Sequence, residues 1–302
     1  MHRLSISLQW VAGMLLLIGP SLVFAQGNPI VDSLNTVLEG SKADTNKVNT
    51  HLALSDQFLN RDWRKFIEQS EAALQLSTAL NFEKGVMKAL HKRGIGYAVS
   101  GNLDSAVYCE HRSIQLAKKR NNVKYESRSF AALGSIYTQI AQMDSALKYA
   151  RLGLAIAEAQ QDSGSMYQNY STIGSILLGD GRYAEALDYY LKSLKTDLAR
   201  GGSGVQCYNN IGKCYLELKK YDKAYEHFQL ALNKGTEHKI PHVVGWAHMY
   251  IGEIHTKFSG TAYTSNIKGI NAYKKALSTF EGIGDVFTGA LAKMYLGDLY
   301  RD

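Results

Sequence analysis

A glycine that recurs at a nearly constant spacing constrains the fold of this chain more than any other feature. Leu or Ile precedes the glycine in five of its six occurrences, and Tyr follows three residues later in four of them. An Ala follows twelve residues after each of the first four glycines. Such self-similarity at a fixed period is typical of repeat arrays. The intervals are 40, 40, 38, 40 and 45 residues between Gly94, Gly134, Gly174, Gly212, Gly252 and Gly297.

Each unit has the pattern of two helices joined by a short polar turn. Around Gly212, the apolar residues Tyr208, Ile211 and Tyr215 share one helical face. After the turn at 219–222, a second apolar face follows, formed by Ala224, Phe228, Ala231 and Leu232. Because glycine inside a helix costs about 1 kcal/mol relative to alanine, its repeated use requires a packing reason. We expect the glycine of the first helix and the alanine of the second to let the two backbones approach closely, with aromatic residues at the flanks.

These residues resemble the tetratricopeptide repeat family. The pattern is carried by Tyr208-x-x-Ile211-Gly212-x-x-Tyr215, with Ala224-x-x-x-Phe228 in the second helix. The period near 40 is longer than the usual length of about 34 residues, and the closing proline of the family is absent. The resemblance implies an all-α fold, a right-handed α-solenoid of stacked antiparallel helix pairs. It also implies a concave groove, lined by the first helix of each pair, that binds another protein or a peptide.

The first 25 residues have the pattern of a signal peptide. Arg3 supplies an early positive charge, the stretch 10–18 is apolar, and Val23 and Ala25 have the small-residue spacing of a cleavage site. The apolar stretch is shorter than the roughly 20 residues that span a bilayer. We therefore expect cleavage after Ala25 and a periplasmic or extracellular location. The alternative is an uncleaved segment that tethers the protein to a membrane.

We expect three regions in the chain, namely a signal peptide at 1–25, a linker with a short helix at 26–46, and a repeat array at 47–302. The predicted units of the array are 47–86, 87–126, 127–166, 167–204, 205–244, 245–289 and a partial unit at 290–302.

A polar stripe beside the glycine face of each first helix is the candidate binding surface. It is basic at its start and becomes amphipathic near Trp246. We interpret this stripe as the surface that contacts the partner, while an ordinary solvated face is the alternative. Paired Lys and Asn residues, which hold a C-terminal carboxylate in the peptide-clamping members of the family, occur here in one unit only, so we do not expect that clamp. The stripe also passes through Ile95, Ser135, Ser171, Ser175 and Met249, and its nine candidate contact residues are Lys88, His91, Arg128, Gln168, Gln206, Asn209, Lys213, Trp246 and Glu253.

Charge and motifs argue against catalysis and nucleic-acid binding. The formal net charge is +7, but the 34 basic residues are scattered and form no continuous stripe. The sequence contains neither a nucleophile constellation nor a phosphate-binding loop. The cluster His238, His242, His248 and His255 could suggest a metal, but Pro241 interrupts it, and we expect core roles for His248 and His255.

The sequence thus favours an exported, non-catalytic scaffold or adaptor without cofactor or metal. The alternative is the sensor portion of a bacterial membrane signalling protein, of the histidine-kinase or transcriptional-regulator type. Its output domain would lie outside this chain. This alternative rests on a resemblance to exported sensor regions that carry such repeats behind a signal peptide.

Overall fold

The computed structural model describes residues 29–59, 62–258 and 265–300, and all regular structure in these ranges is α-helical. The predicted signal peptide lies outside the described residues. The helices are α1 (Pro29–Gly40), α2 (Thr45–Phe58), α3 (Trp63–Ala79), α4 (Glu83–Val99), α5 (Leu103–Lys119), α6 (Val123–Gln139), α7 (Met143–Ala159), α8 (Ser163–Gly179), α9 (Tyr183–Ala199), α10 (Val205–Glu217), α11 (Tyr221–Glu237), α12 (Pro241–Lys257), α13 (Asn266–Gly282) and α14 (Val286–Leu299).

Three-residue turns connect most of the helices, and the middle residue of each turn has a left-handed backbone conformation with positive φ. Gly101 and Gly181 occupy this position with φ of 80° and 77°. A left-handed residue after a helix lets the next amides bond back to the last turn, which ends the helix and reverses the chain. The following helix often begins at a capping side chain, as Asp162 does by accepting hydrogen bonds from the amides of Gly164 and Ser165. Consecutive helices are therefore antiparallel.

The helix pairs stack into an α-solenoid with two layers. Each helix packs on the next along the chain, which joins the pairs α2–α3, α4–α5, α6–α7, α8–α9, α10–α11 and α12–α13. The first helices α4, α6, α8, α10 and α12 also contact one another in succession. Within the described residues, successive second helices make no comparable contact. The first helices therefore form the inner, concave layer, and the predicted solenoid fold is confirmed.

The recurring glycine makes room mainly for a side chain of the second helix. A Cβ atom on Gly212 would lie 2.6 Å from the Phe228 ring, and one on Gly252 would lie 2.8 Å from the Tyr273 ring. Only Gly134 faces backbone closely, since its Cβ would lie 3.1 Å from the carbonyl oxygen of Ala146. The expectation of close backbone approach in every unit is therefore wrong. The residue four positions after the alanine is usually large, and its side chain fills the space.

We expect alanine to have opposite effects at two equivalent glycines. Gly212→Ala should lower the free energy of unfolding by about 1–2 kcal/mol, because overpacking against buried Phe228 outweighs the gain in helix propensity. Gly297→Ala should be neutral or stabilise by up to about 1 kcal/mol, because among the described residues no atom lies within 4 Å of the new Cβ. Urea denaturation followed by circular dichroism measures both changes. Destabilisation of equal size at the two positions would contradict this packing.

The core of the solenoid consists of successive clusters along the array and is rich in aromatic residues. Tyr190, Tyr273, Phe66, Phe228 and Phe280 are its largest fully buried side chains. The three cysteines are buried and form no disulfide, and burial raises the pKa of the Cys109 thiol to about 11. Within the described residues, no helix has the length and apolar character to cross a membrane.

Candidate functional site

The inner layer of first helices encloses an open cavity of about 530 Å³. Its lining comes from four successive first helices, α4, α6, α8 and α10. The walls combine short aliphatic side chains with hydroxyl and amide groups. The residues that line it are His91, Ile95, Ala98, Val99, Arg128, Ala131, Ala132, Ser135, Ile136, Gln139, Tyr167, Gln168, Ser171, Thr172, Ser175 and Gln206.

Two further cavities extend this surface toward the C-terminus. One of about 490 Å³ shares Gln206 with the first and reaches Trp246 and Tyr250 on α12. Another of about 350 Å³ shares Ser175 with the first cavity and includes Lys213. We call the connected surface of these three cavities the groove. It runs from α4 to α12 along the concave layer.

The structure brings seven of the nine predicted binding residues to the groove. The exceptions are Lys88, which does not line a cavity, and Glu253, whose carboxylate pairs with Lys257 at 3.2 Å. Met249, another residue of the predicted stripe, is buried in the core against α13, although it lies only about 60° around α12 from Trp246. The seven lining residues are His91, Arg128, Gln168, Gln206, Asn209, Lys213 and Trp246.

Asn209 has a role that its sequence position did not reveal. Its side-chain amide donates a hydrogen bond of 3.0 Å to the carbonyl oxygen of Val243, so it ties α10 to α12. Its Oδ1 atom is buried without a hydrogen-bond partner. One N–H of this amide is therefore engaged in the fold, which leaves only the second N–H to donate to a ligand.

Three basic side chains lie where α4 faces α6: His91 and Arg128 line the groove, Lys88 lies beside it, and we call the three residues the basic end of the groove. The Arg128 guanidinium lies over the Tyr125 ring at 5.8 Å from its centre, and its Nε is buried without a hydrogen-bond partner. Burial lowers the pKa of Lys88, and the nearby charges of Lys84, Lys92 and Arg128 lower it further. This part of the groove therefore carries positive charge that is not balanced locally.

The acidic residues beside the basic end are already engaged. Nδ1 of His91 lies 3.0 Å from both carboxyl oxygens of Glu110, which is fully buried beneath the groove. Asp56 pairs with Lys92. Neither acid lies within 4 Å of the charged atoms of Lys88 or Arg128, so within the described residues these two cations have no ion-pair partner.

Aromatic side chains dominate the opposite end, and we call His242, Trp246 and Tyr250 the aromatic end of the groove. Nε1 of Trp246 donates a hydrogen bond of 3.3 Å to Nε2 of His242. The Trp246 ring stacks on Tyr250 with 5.6 Å between centres and meets Phe280 edge-on at 5.9 Å. These contacts hold the indole in one orientation, so it offers a rigid apolar surface to a ligand.

Sequence reasoning missed Glu110 and Tyr250. Glu110 lies sixteen residues after Gly94, where later units have Ala150, Tyr190 and Phe228. A carboxylate at this core position is a signal that could have identified it. Tyr250 lies one helical turn after Trp246, so it shares a face of α12 with that residue. The predicted stripe should therefore have included it.

The described residues contain no cluster of three or more His, Cys, Asp or Glu side chains able to hold a metal ion. The four histidines are dispersed, since His238 follows the end of α11 while Pro241 begins α12. His255 is buried, and burial lowers the pKa of His248 to about 4, so this imidazole is neutral near pH 7. Both lie on helix α12.

Part of the chain is similar in sequence to known proteins. The tetratricopeptide repeat model matches residues 165–234. A curated relative, tetratricopeptide repeat protein 29 of Trypanosoma brucei brucei, is 24% identical over 158 residues. This match covers 52% of the present chain, which spans about a third (33%) of the length of that relative.

Two solved structures show a similar fold. A Rap protein complexed with competence and sporulation factor superposes with a TM-score of 0.65 at 13% identity, over 90% of this chain and 79% of that one. NprR in complex with its cognate peptide NprX gives a TM-score of 0.57 at 14% identity, over 90% and 80% of the two chains. The repeat motif, the stacked helix pairs and these matches agree: residues 165–234 match the tetratricopeptide repeat family, and the described residues have the fold of these repeat proteins.

Proposed function

We propose that this protein is a non-catalytic scaffold that binds an extended peptide, or an extended segment of another protein, along its groove. The observation that carries the proposal is the continuous concave surface on five successive first helices. Its lining includes exposed polar side chains such as Ser135, Gln168 and Ser175. An extended backbone has unpaired amide and carbonyl groups, and such side chains can satisfy them.

The shape and the chemistry of the groove both suit an elongated ligand. Neighbouring helices in contact lie about 8–10 Å apart, so the three steps from α4 to α10 span about 27 Å. An extended chain rises about 3.3 Å per residue, so roughly eight residues fit this length. The solved complexes of Rap with competence and sporulation factor and of NprR with peptide NprX support a ligand-binding role for this fold.

We further propose that the scaffold acts outside the cytoplasm, after removal of residues 1–25. The charged start, apolar stretch and small-residue site of this segment support export. N-terminal sequencing of the protein from a secretion-competent host tests this, with Gln26 as the expected first residue. An N-terminus at Met1 in a soluble cytoplasmic fraction would contradict it. The sensor role in a signalling protein is the alternative, and reading the gene beyond codon 302 tests it.

We expect a bulky side chain on the groove floor to block ligand binding. Ser135 is an exposed residue of α6 that lines the main cavity, so Ser135→Trp fills the space without entering the core. Binding of octapeptides from a synthetic library, measured by fluorescence anisotropy, should weaken at least about tenfold because the ligand backbone loses its path.

Ala155→Trp is the matched control. Ala155 is exposed on the second helix α7 and lines none of the groove cavities. This variant adds the same indole to the outer layer, so its affinity should equal that of the unmodified protein. Equal loss of affinity in both variants, or no loss in Ser135→Trp, would place the ligand elsewhere.

A further inference from the structure

The acidic and basic side chains that line the main cavity are all of the basic type. Among its lining residues, His91 and Arg128 are the basic ones, and the lining includes no Asp or Glu. The remaining walls are neutral. A ligand that enters this cavity therefore meets positive charge at the α4–α6 end and only uncharged polar or apolar groups further along.

Arg64, Arg112, Arg128 and Arg151 have no carboxylate partner among the described residues, and of these four Arg128 alone has a buried Nε without a hydrogen-bond partner. Arg93 pairs with Glu71 at 2.9 Å, and Arg200 pairs with Asp197 at 3.3 Å. Arg120 and Arg182 also have acidic partners. The Nε of Arg128 is buried, however, and has no hydrogen-bond partner. An unsatisfied buried donor is costly, and Arg128 also lines the main cavity, so a ligand acceptor that approaches this guanidinium gains a donor that the fold leaves unpaired.

The nearby acids do not remove this positive charge. Glu110 is the buried partner of His91, and Asp56 is the partner of Lys92. Lys88 and Arg128 remain without an ion pair, and their charges are close enough for Arg128 to lower the pKa of Lys88. The guanidinium of Arg128 rests on the Tyr125 ring, which limits its rotation. A fixed guanidinium beside a second cation is well suited to hold a carboxylate.

We propose that the basic end of the groove binds the carboxylate of an Asp or Glu side chain in the extended peptide ligand. This inference rests on the proposed function and names the chemical class of the partner, a protein segment with an acidic side chain. The carboxylate accepts hydrogen bonds from Arg128 and takes charge stabilisation from Lys88, while the rest of the segment continues toward the aromatic end. A side-chain carboxylate is assigned here because the paired Lys and Asn residues that hold a C-terminal carboxylate in peptide-clamping repeats occur in one unit only, away from the basic end.

Octapeptides with acetylated N-termini and amidated C-termini are suitable probes, because their side chains are then their only source of negative charge. Each peptide that carries Asp or Glu is paired with the same sequence carrying Asn or Gln. We expect the unmodified protein to bind the acidic member of a pair at least about tenfold more tightly at low salt, and less so as NaCl screens the charges.

Two variants assign this preference to a residue. Arg128→Gln should lose most of the preference for the acidic member of a pair, since Lys88 alone then remains to attract the carboxylate. Arg151→Gln removes an exposed arginine from the outer helix α7, and it should keep the preference in full. Thermal melting of both variants, followed by circular dichroism, checks that the fold is intact.

Each outcome is decisive. Equal binding of acidic and amide peptides by the unmodified protein would overturn the acidic-ligand inference and leave the proposed groove function standing. Retention of the preference in Arg128→Gln would also overturn the inference. Non-amidated peptides test the role of a terminal carboxylate. If binding requires a free C-terminus and does not depend on acidic side chains, the proposal is contradicted. Failure of every octapeptide to bind would overturn the proposed function itself.

Discussion

Phe228→Ala is expected to lower the free energy of unfolding by about 3–5 kcal/mol, the usual loss when a buried phenylalanine is truncated. Phe228 is fully buried, fills the space above Gly212 and stacks on Tyr250 at 4.8 Å between ring centres. Its removal leaves a cavity between α10 and α11, beside α12 of the next pair. Urea denaturation followed by circular dichroism measures the loss.

Phe287→Ala is the matched control, because Phe287 is 79% exposed on α14. Its effect should stay within about 0.5 kcal/mol, as is usual for surface substitutions. A double-mutant cycle adds a sharper test. If Phe228 occupies the space above Gly212, then Gly212→Ala should stop being destabilising once Phe228 is alanine. Additive effects of the two substitutions, or equal losses at Phe228 and Phe287, would contradict the packing described here.

Reversing both charges at the basic end should abolish capture of acidic octapeptides. In the double variant Lys88→Glu with Arg128→Glu, attraction for the ligand carboxylate becomes repulsion, and we expect affinity to fall by more than about 100-fold. Stability should change little, because neither cation has an ion-pair partner within the described residues. Fluorescence anisotropy measures the affinity, and thermal melting measures the stability.

Arg151→Glu with Lys195→Glu provides the control for net charge. Both residues are exposed on outer helices, so this double variant changes the total charge equally but leaves the groove intact. It should lose affinity only through long-range electrostatics, and 0.5 M NaCl should largely remove that loss. Equal loss of affinity in the two double variants at this salt concentration would show that the basic end has no specific role.

The helical repeat could be predicted because its signal is local. Glycine, the preceding Leu or Ile and the following Tyr lie within one or two turns of a helix, so their spacing alone indicates which face is buried. The side of the first helix that faces the groove followed from the same periodicity, which is why His91, Arg128 and Gln168 were identified.

Contacts between helices could not be read from that periodicity. The partner of Gly212 is the ring of Phe228, sixteen residues away, and the spacing of the glycines alone does not distinguish this ring from the alanine one turn earlier. Met249 was placed in the groove because it lies only about 60° around α12 from Trp246, and helical periodicity does not show that α13 covers this side chain. The hydrogen bond from Asn209 to Val243 joins different repeats, and neither residue carries a local signal for it.

Site-specific photo-crosslinking tests the central claim, that the first helices provide the binding surface, most directly. A photoreactive phenylalanine analogue is placed at Ser135 in the groove or at Ala155 on the outer layer, and each protein is irradiated with a biotinylated acidic octapeptide that it binds. We predict a crosslink from position 135 that excess unlabelled peptide suppresses, and none from position 155. A peptide crosslinked from position 155 but not from position 135 would contradict a ligand held in the concave layer.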